Sequence, residues 1–331
     1  MPGCVRTADD VANERVRDSS PRVGLEPIVT VVVPAWNLEA ELEECLASVR
    51  AQGPGVRALV IDNASNRPLA LGDADVARIE QRVSVGAARN HGLALVRTPF
   101  VAFMDGDDVL LPGAIGRLVE LLLASGDAVA ADGAIVIWES RDDRRAASYY
   151  PPRWTRRLRG HPRVFAAATL LVSALPTAGP MVMRTDAARA ARGFGDSNFL
   201  ETWPLAAALA AAGRVVRTER PCKLYRVSTG RETLKLRGQP ILRSRLAGRR
   251  DVRRRIRRLP DCAWWLRLLA FSVAPLVHGV TAIMEPSRPR FSASSRSSPD
   301  RAPAAAEEPE EAALDEQARG ASRDRDHNRP R

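Results

Sequence analysis

Continuous apolar runs alternate with helical patterns in the first half of the chain. The strongest runs are Ile28–Val33, Ala58–Ile61 and Phe100–Met104, each typical of a strand that is buried on both faces. A shorter strand is predicted at Val76–Ile79, and apolar residues at helical spacing fill the intervals. Strands that alternate with helices in this order form parallel sheets. We therefore predict an α/β fold with a mostly parallel central sheet flanked by helices.

The pattern is weaker between residues 125 and 230. Strand character is present at Ala128–Trp138, as one or two strands, and at Pro180–Met183. Phe199–Gly213 is predicted as a helix that ends at its glycine, after which Arg214–Thr218 resumes the sheet.

Basic charge is concentrated in one segment. The formal net charge is +11, and residues 231–258 hold eleven Arg and one Lys against only Glu232 and Asp251. Such a segment can face nucleic acid, anionic lipid or water. We do not expect a nucleic-acid partner, because the run lacks interleaved aromatic residues and no nucleic-acid-binding motif accompanies it.

An apolar stretch, Trp264–Met284, follows the basic segment, with 17 residues free of formal charge between Arg267 and Glu285. As a helix these residues would span about 26 Å, less than the roughly 30 Å of a bilayer core. Three alternatives are open: attachment at the membrane interface, docking on the preceding domain, and a true span. We expect the first, with paired tryptophans beside a polybasic segment at an anionic membrane surface.

The domain organisation follows from these shifts in composition. We predict a disordered leader over residues 1–26, an α/β domain over 27–230, a membrane-associating segment with C-terminal helical structure over 231–286, and a disordered tail over 287–331. The leader has no apolar core of a secretory signal, and the four cysteines form no close pair. We therefore expect a cytoplasmic protein, peripheral at the cytoplasmic face of the membrane.

Polar residues follow three of the predicted strands, where open parallel sheets bind their ligands. The acids Asp105, Asp107 and Asp108 lie within four residues of one another, directly after a buried strand. Such a cluster is repulsive without a cation, and carboxylate oxygens suit magnesium or manganese beside a phosphate. As an alternative, Asp108 could merely cap the next helix.

The segment Gly86–Gly92 opens a helix before that acidic cluster. A helix N-terminus with Arg89 favours an anionic diphosphate, although small residues could equally serve close contact between helix and sheet. Asp62, after the second strand, could contact a ligand or hold a turn. Together these elements predict one site for a nucleoside diphosphate.

The order and spacing of four segments resemble family 2 glycosyltransferases of the GT-A fold: VTVVVPAWN, VIDNAS, GAARNHG and FMDGDD. The resemblance covers residues 28–230 and implies a GT-A-type nucleotide-diphospho-sugar transferase fold. It also implies transfer of a sugar from a nucleotide donor to a glycan or lipid-linked acceptor with inversion, in cell-envelope or polysaccharide synthesis. The resemblance implies a nucleotide site in which Pro34, Ala35 and Asn37 line the pocket, Asp62 contacts the nucleobase, Arg89 faces the nucleotide and Asp105 lies by the ribose. It also implies that Asp107 and Asp105 bind Mg²⁺ or Mn²⁺.

The second half departs from the family pattern at the catalytic base. The family opens a helix with a Glu-Asp pair whose Asp deprotonates the acceptor, whereas this chain has Glu201 followed by Thr202. A threonine hydroxyl is no base near neutral pH, so Glu201 is our first candidate and Asp196 our second. Glu201 could instead be a first-turn acid favoured by the helix dipole. A later position that often carries His is Ser228.

These departures keep a rival function open. A catalytically degenerate sugar-nucleotide-binding or scaffold protein at the membrane would fit Thr202 and Ser228 equally well. A sugar-phosphate nucleotidyltransferase fits less well, because no Gly-rich basic loop follows the first strand.

Overall fold

The structure is a computed structural model that describes residues 26–38, 40–71, 74–138, 149–150, 161–171, 181–198, 200–226, 239–259 and 262–272. The predicted tail, nearly all of the predicted leader, Ser228 and the apolar residues beyond Ser272 lie outside these ranges.

Strands and helices alternate through the described chain. The strands are β1 Val29–Ala35, β2 Val56–Asn63, β3 Asp75–Ile79, β4 Phe100–Phe103, β5 Val109–Leu110, β6 Ala128–Trp138, β7 Tyr149–Tyr150, β8 Met181–Arg184 and β9 Arg214–Arg226. The helices are α1 Ala40–Arg50, α2 Val85–Leu95, α3 Ala114–Ala124, α4 Pro162–Leu171, α5 Thr185–Ala190, α6 Thr202–Ala212, α7 Gln239–Arg258 and α8 Trp264–Ser272.

One sheet has the strand order β3-β2-β1-β4-β8-β6-β9-β5, and β7 pairs with β6. The parallel pairing predicted for the first half is confirmed, because β1 runs parallel to both β2 and β4, and β2 runs parallel to β3. Beyond β4 the sheet is mixed: β8 is antiparallel to β4 and β6, while β6 and β9 are parallel. The α/β prediction is confirmed, and each antiparallel pair of the described chain includes at least one strand from the half where the sequence pattern was weak.

Helices cover both faces of the sheet. Along β1, Val32 packs into one hydrophobic cluster with α2, α6, α7 and α8, whereas Val31 and Val33 pack into the other with α1 and α3. This alternation is the period of two that a strand buried on both faces requires. A Cβ on Gly92 of α2 would lie 2.4 Å from Val32 Cγ1, so the small residue allows α2 to approach β1 closely.

The C-terminal helices are docked on the α/β domain. Val252 and Ile256 of α7 and Leu266 of α8 are buried in the same cluster as α6. A Cβ on Gly248 would lie 3.4 Å from Trp203, at ordinary contact distance. Of the apolar stretch Trp264–Met284, the described residues 264–272 therefore pack on the α/β domain, and the choice among the three alternatives stays a prediction. No helix within the described ranges is both long enough and apolar enough to cross a membrane.

The cysteines agree with the expectation of no disulfide, as far as the described chain extends. Cys45, Cys222 and Cys262 are free and buried, and burial raises the pKa of each thiol. Cys45 lies beneath the turn that follows β4, where its thiol contacts the Asp105 carbonyl at 3.8 Å. The Asp105, Asp107 and Asp108 carboxylates add to the rise of the Cys45 pKa.

Candidate functional site

The carboxyl ends of β1, β2 and β4 meet at one edge of the sheet. Ala35 lies opposite Asp62 in the parallel register, and β4 ends where Phe103 lies opposite Val32. Pro34 comes after the last β1–β4 pair, so its missing N–H leaves that part of the ladder intact. The predicted strand-end residues are thus brought together.

The loops after β1 and β2 are tied to each other. The Asn37 N–H donates to Ser65 Oγ at 3.0 Å, and the Asn66 N–H donates to the Asn37 side-chain oxygen at 2.9 Å. Asn37 has φ of 51°, a left-handed conformation that asparagine tolerates better than most residues. These bonds hold Asn37 at the rim of the pocket that the sequence assigned to a nucleotide.

Asp62 is fully buried at the end of β2. Its carboxylate accepts hydrogen bonds from the Ser65 N–H at 2.9 Å, the Leu69 N–H at 3.4 Å and Arg78 Nη1 at 2.6 Å. Burial alone would raise the pKa of Asp62, but the bonds from Ser65, Arg78 and Leu69 outweigh it and lower the pKa. A carboxylate offers about four acceptor positions, and the backbone and side chain of Ser65, Arg78 and Leu69 use all of them, so Asp62 holds its own loop.

Two residues that stack at this edge of the sheet, Trp36 and Arg82, were not among the predicted ligands. The guanidinium of Arg82 lies 3.4 Å from the centroid of the Trp36 ring, with Trp36 partly exposed after β1. Sequence spacing could not pair them, because Arg82 follows β3 and reaches Trp36 only through the sheet order β3-β2-β1.

The acidic turn Asp105–Asp108 follows β4. One carboxylate oxygen from each of Asp105, Asp107 and Asp108 lies within 4.8 Å of the others. Asp108 is fully buried and accepts from Lys223 Nζ at 2.6 Å, whereas Asp105 and Asp107 are half-buried. Helix capping by Asp108 is therefore not its role, since a short strand and a turn separate it from α3 and its carboxylate binds β9 instead.

Lys223 and Arg226 of β9 hold this turn from the opposite side. The Arg226 N–H donates to Asp108 at 3.2 Å, and Arg226 Nε donates to the Asp107 carbonyl at 3.0 Å. Arg226 also donates to Glu44 at 2.5 Å. These two contacts were not predicted, because the strand pattern in the sequence extends only to Thr218 and gives no reason to place residues 223–226 beside β5.

The acidic turn fits a divalent cation. Its ligand atoms are carboxylate oxygens, the donors that Mg²⁺ and Mn²⁺ prefer. Asp108 is fully buried, whereas Asp105 and Asp107 are half-buried, so these two are the carboxylates that an ion could reach.

Arg89 joins the two halves of the site. Its side chain is almost completely buried, with Nη2 donating to Asp105 at 2.5 Å and Nη1 donating to Glu201 at 2.6 Å. Its guanidinium also lies 5.2 Å from the centroid of the Phe194 ring. Burial opposes the charge of Arg89, but the carboxylates of Asp105 and Glu201 outweigh burial and raise its pKa. Arg89 is therefore a permanent cation beside the acidic turn.

The expectation that the N-terminus of α2 receives a diphosphate is wrong. The Val85 N–H donates to the Asn198 side chain at 2.8 Å, the Gly86 N–H to the Ser197 carbonyl at 3.3 Å, and the Ala87 N–H to Ser84 Oγ at 3.1 Å. A Cβ on Gly86 would lie 1.9 Å from the Gly195 carbonyl oxygen, so the turn packs directly on this glycine. The chain itself satisfies the helix N-terminus, and Gly86 serves close packing.

The two candidate bases occupy different environments. Glu201 is the residue before the first turn of α6; its side chain makes no capping bond and instead reaches Arg89 inside the site. Asp196 is exposed and accepts a 2.5 Å hydrogen bond from Ser84 Oγ at the start of α2. The structure thus brings Glu201 next to Asp105 through Arg89 and places Asp196 on the surface beside α2.

Comparison with protein families identifies one region. The family "Glycosyl transferase family 2" matches residues 30–173, which include the ends of β1, β2 and β4 and the start of α2.

Curated relatives match over part of the chain. The succinoglycan biosynthesis protein ExoU of Rhizobium meliloti is 29% identical over 100 residues, 28% of this chain and 29% of that protein. The O-antigen biosynthesis protein RfbC of Myxococcus xanthus is 30% identical over 154 residues, 40% of this chain and 11% of that protein. The match to ExoU therefore spans less than a third of that relative's length.

Among solved structures, S. aureus TarS residues 1–349, crystallised with UDP-GlcNAc, has a TM-score of 0.54 and 15% sequence identity, covering 76% of this chain and 72% of that one. At this identity the likeness concerns the fold. Residues 30–173 thus match the family 2 glycosyltransferases, and the fold is similar to that of TarS, of the GT-A type.

Proposed function

We propose that this chain transfers a sugar from a nucleoside-diphosphate donor to an acceptor hydroxyl with inversion, in the synthesis of a polysaccharide or cell-envelope glycan. The observation that carries the proposal is the acidic turn at the shared end of β1, β2 and β4, bonded through Arg89 to Glu201. The processes named for ExoU and RfbC, succinoglycan and O-antigen biosynthesis, support a polysaccharide product.

The nucleotide is proposed to lie along the ends of β1 and β2. Pro34, Ala35 and Asn37 form the wall after β1, and Asn37 is held in place by the loop after β2. Asp62 is proposed to border the base through the loop after β2, which its carboxylate holds in place. The exposed face beside Trp36 and Arg82 borders this pocket.

The diphosphate is proposed to lie over the acidic turn, with Mg²⁺ or Mn²⁺ held by Asp105 and Asp107. Such an ion would supply positive charge to the leaving diphosphate. Arg89 fixes the position of Asp105, since it donates to that carboxylate from a buried site and is restrained by Glu201 on its other side. Lys223 and Arg226 fix the backbone and the third acid of the turn.

The transfer step needs a base for the acceptor hydroxyl. In our proposal Glu201 takes that proton while the acceptor oxygen forms a bond to the anomeric carbon. The bond from that carbon to the phosphate oxygen breaks, and its electron pair leaves with the nucleoside diphosphate. Attack from the face opposite the leaving group gives inversion. Asp196 is the second candidate, on the exposed side of the turn that covers α2.

One observation favours the rival function of a degenerate binder. Thr202 begins α6 at the position where the family carries its catalytic Asp. Both functions bind the donor in the same pocket, so only turnover separates them. Thr202→Asp is the informative variant, because it restores the family's acid without altering the acidic turn.

The acceptor and the location are part of the same proposal. A glycan or lipid-linked acceptor would be met at the cytoplasmic face of the membrane, where the exposed basic side chains of α7 face an anionic surface.

The experiment is a turnover assay across nucleotide sugars with manganese or magnesium and a membrane extract as the source of acceptor, read as nucleoside diphosphate released. We expect release with one donor class and labelled sugar in the glycan or lipid fraction. Binding of a donor without release, in both the natural chain and Thr202→Asp, would reject the transferase and leave the binder.

A further inference from the structure

Helix α7 has two faces that differ in exposure. The inner face is buried against the α/β domain and includes two arginines. It consists of Arg249, Val252, Arg255 and Ile256, together with Leu259, the residue that follows the helix. The opposite side, which we name the outer arginine face, consists of five side chains: Arg250, Arg253, Arg254, Arg257 and Arg258. The basic segment is therefore divided by the fold, and only part of its charge is presented to the outside.

The two sets of arginines share Asp251, which pairs with Arg255 of the inner face at 2.9 Å, but differ in their other partners. Arg255 of the inner face donates to the carbonyls of Ala191, Gly193 and Phe194, so it holds the turn that precedes Asp196. On the outer arginine face, Arg254 pairs with Asp251 at 2.7 Å. Within the described part of the chain, the other four outer arginines form no ion pair, which leaves their charge for an external partner.

Helix α8 presents an apolar surface beside this charge. Trp264, Leu268 and Phe271 are 75%, 57% and 48% exposed. Their spacing of four and three residues puts them on one side of the helix, which we name the apolar ridge. The other side of α8 is used for packing, since Leu266 and Ala270 are buried.

The outer arginine face and the apolar ridge adjoin. A groove is lined by the five outer arginines together with Phe271, so one end of the ridge borders the arginines directly. The sequence after Ser272 continues without a formal charge as far as Met284. Cationic and apolar groups thus lie side by side on two packed helices.

We propose that the outer arginine face and the apolar ridge together dock this chain on an anionic phospholipid bilayer. A bilayer surface offers phosphate groups to the arginines and an acyl boundary to the ridge, and tryptophan is enriched at that boundary. A nucleic acid would match the arginines but offers nothing to Leu268. The inference rests on the proposed membrane location and does not depend on the transfer chemistry.

Docking would also set the orientation of the site. Arg255 joins the inner face of α7 to the turn before Asp196, and α7 packs on α6, which begins beside Glu201. The docking helices and the two candidate bases therefore belong to one packed body.

The test is flotation of the full chain with vesicles of phosphatidylcholine alone and of phosphatidylcholine with phosphatidylglycerol. We expect binding to the anionic vesicles alone, weakened by salt because attraction between exposed charges is screened beyond about 10 Å at 0.1 M. The variant R250Q/R253Q/R257Q should bind about 100-fold more weakly, at the gain typical for each basic residue near an anionic surface. The variant L268S/F271S should also lose binding.

Matched controls remove equal charge and equal apolar surface elsewhere. R97Q/R163Q/R220Q changes three exposed arginines of other elements, and L95S/L123S changes two exposed leucines of α2 and α3. Both should bind vesicles like the natural chain. An equal loss in the charge control would mean that net charge alone drives binding, and would overturn the proposal.

Other outcomes also decide. The proposal is overturned if the chain does not bind anionic vesicles. It is also overturned if the chain forms a dimer that L268S/F271S abolishes, or if RNA binds the chain with high affinity and displaces it from the vesicles. Calorimetry of donor binding on the same variants keeps the two proposals apart, because the docking variants leave the nucleotide pocket intact. If the natural chain binds vesicles but no nucleotide-sugar donor, the proposed function is rejected and the docking proposal stands.

Discussion

Arg89 and Glu201 form a buried ion pair of 2.6 Å although they are 112 residues apart in the chain. The other amino group of Arg89 binds Asp105, so one guanidinium links the acidic turn of the first half to the start of α6 in the second half. The family match ends at residue 173, and this link shows how the remaining chain completes the same site.

Glu201→Gln tests the proposed base. The amide oxygen can still accept from Arg89, while the group can no longer take a proton, so turnover should fall by about 10²–10⁴-fold with donor affinity nearly unchanged. The measurement is the rate of nucleoside diphosphate release beside calorimetric donor affinity. Asp196→Asn is the matched control and should lose far less. Full activity in Glu201→Gln, with the loss in Asp196→Asn, would transfer the role to Asp196.

Arg89→Gln tests the link itself. Removing one partner of a buried charge cluster leaves Asp105 and Glu201 uncompensated, which typically costs about 3–5 kcal/mol of unfolding free energy. Urea denaturation followed by circular dichroism measures the change. Arg50→Gln removes an exposed ion pair with Glu43 and should cost less than about 1 kcal/mol. Similar small losses in both variants would contradict the structural role of Arg89.

Arg255→Met tests how α7 supports the turn before Asp196. Arg255 is buried and donates to three backbone carbonyls that would lose their donor, so we expect a loss of about 1–3 kcal/mol or more in unfolding free energy. Arg254→Met is the matched control one residue away, because Arg254 is exposed and only pairs with Asp251. Equal denaturation midpoints for the two variants would show that the carbonyl contacts contribute nothing.

Asp62→Asn tests the loop after β2 through the pH dependence of stability. The pKa of Asp62 is lowered in the folded state, so its carboxylate stabilises the fold above the ordinary value of 3.8, and this contribution is lost as the pH falls through the lowered value. At pH 7 the variant should be less stable by about 1–3 kcal/mol. The difference should shrink below pH 4. A difference that stays constant from pH 7 to pH 3 would contradict the assigned shift.

The parts of the fold that could be predicted from the sequence are those determined by residues close together in the chain. The apolar runs of β1, β2 and β4 gave strands close to the predicted bounds, and three acids directly after β4 gave the acidic turn. Each of these depends on residues that are neighbours in the chain.

The parts of the fold and of the site that could not be predicted depend on contacts between residues that are distant in the chain. Nothing local in GAARNHG shows that the turn at residues 195–198 covers the start of α2. The Lys223–Asp108 bond requires β9 to run past Thr218 and pair with β5. The division of the basic segment into buried and exposed arginines likewise depends on which side of α7 meets α6.

The central claim is tested most directly by calorimetric titration of nucleoside diphosphates and their sugars into the full chain, with Mn²⁺ and again with EDTA. The account predicts binding that requires the divalent ion in the natural chain, and loss of that metal-dependent part in Asp107→Asn, with the fold retained by circular dichroism. Equal affinity with Mn²⁺ and with EDTA, unchanged in Asp107→Asn, would contradict it.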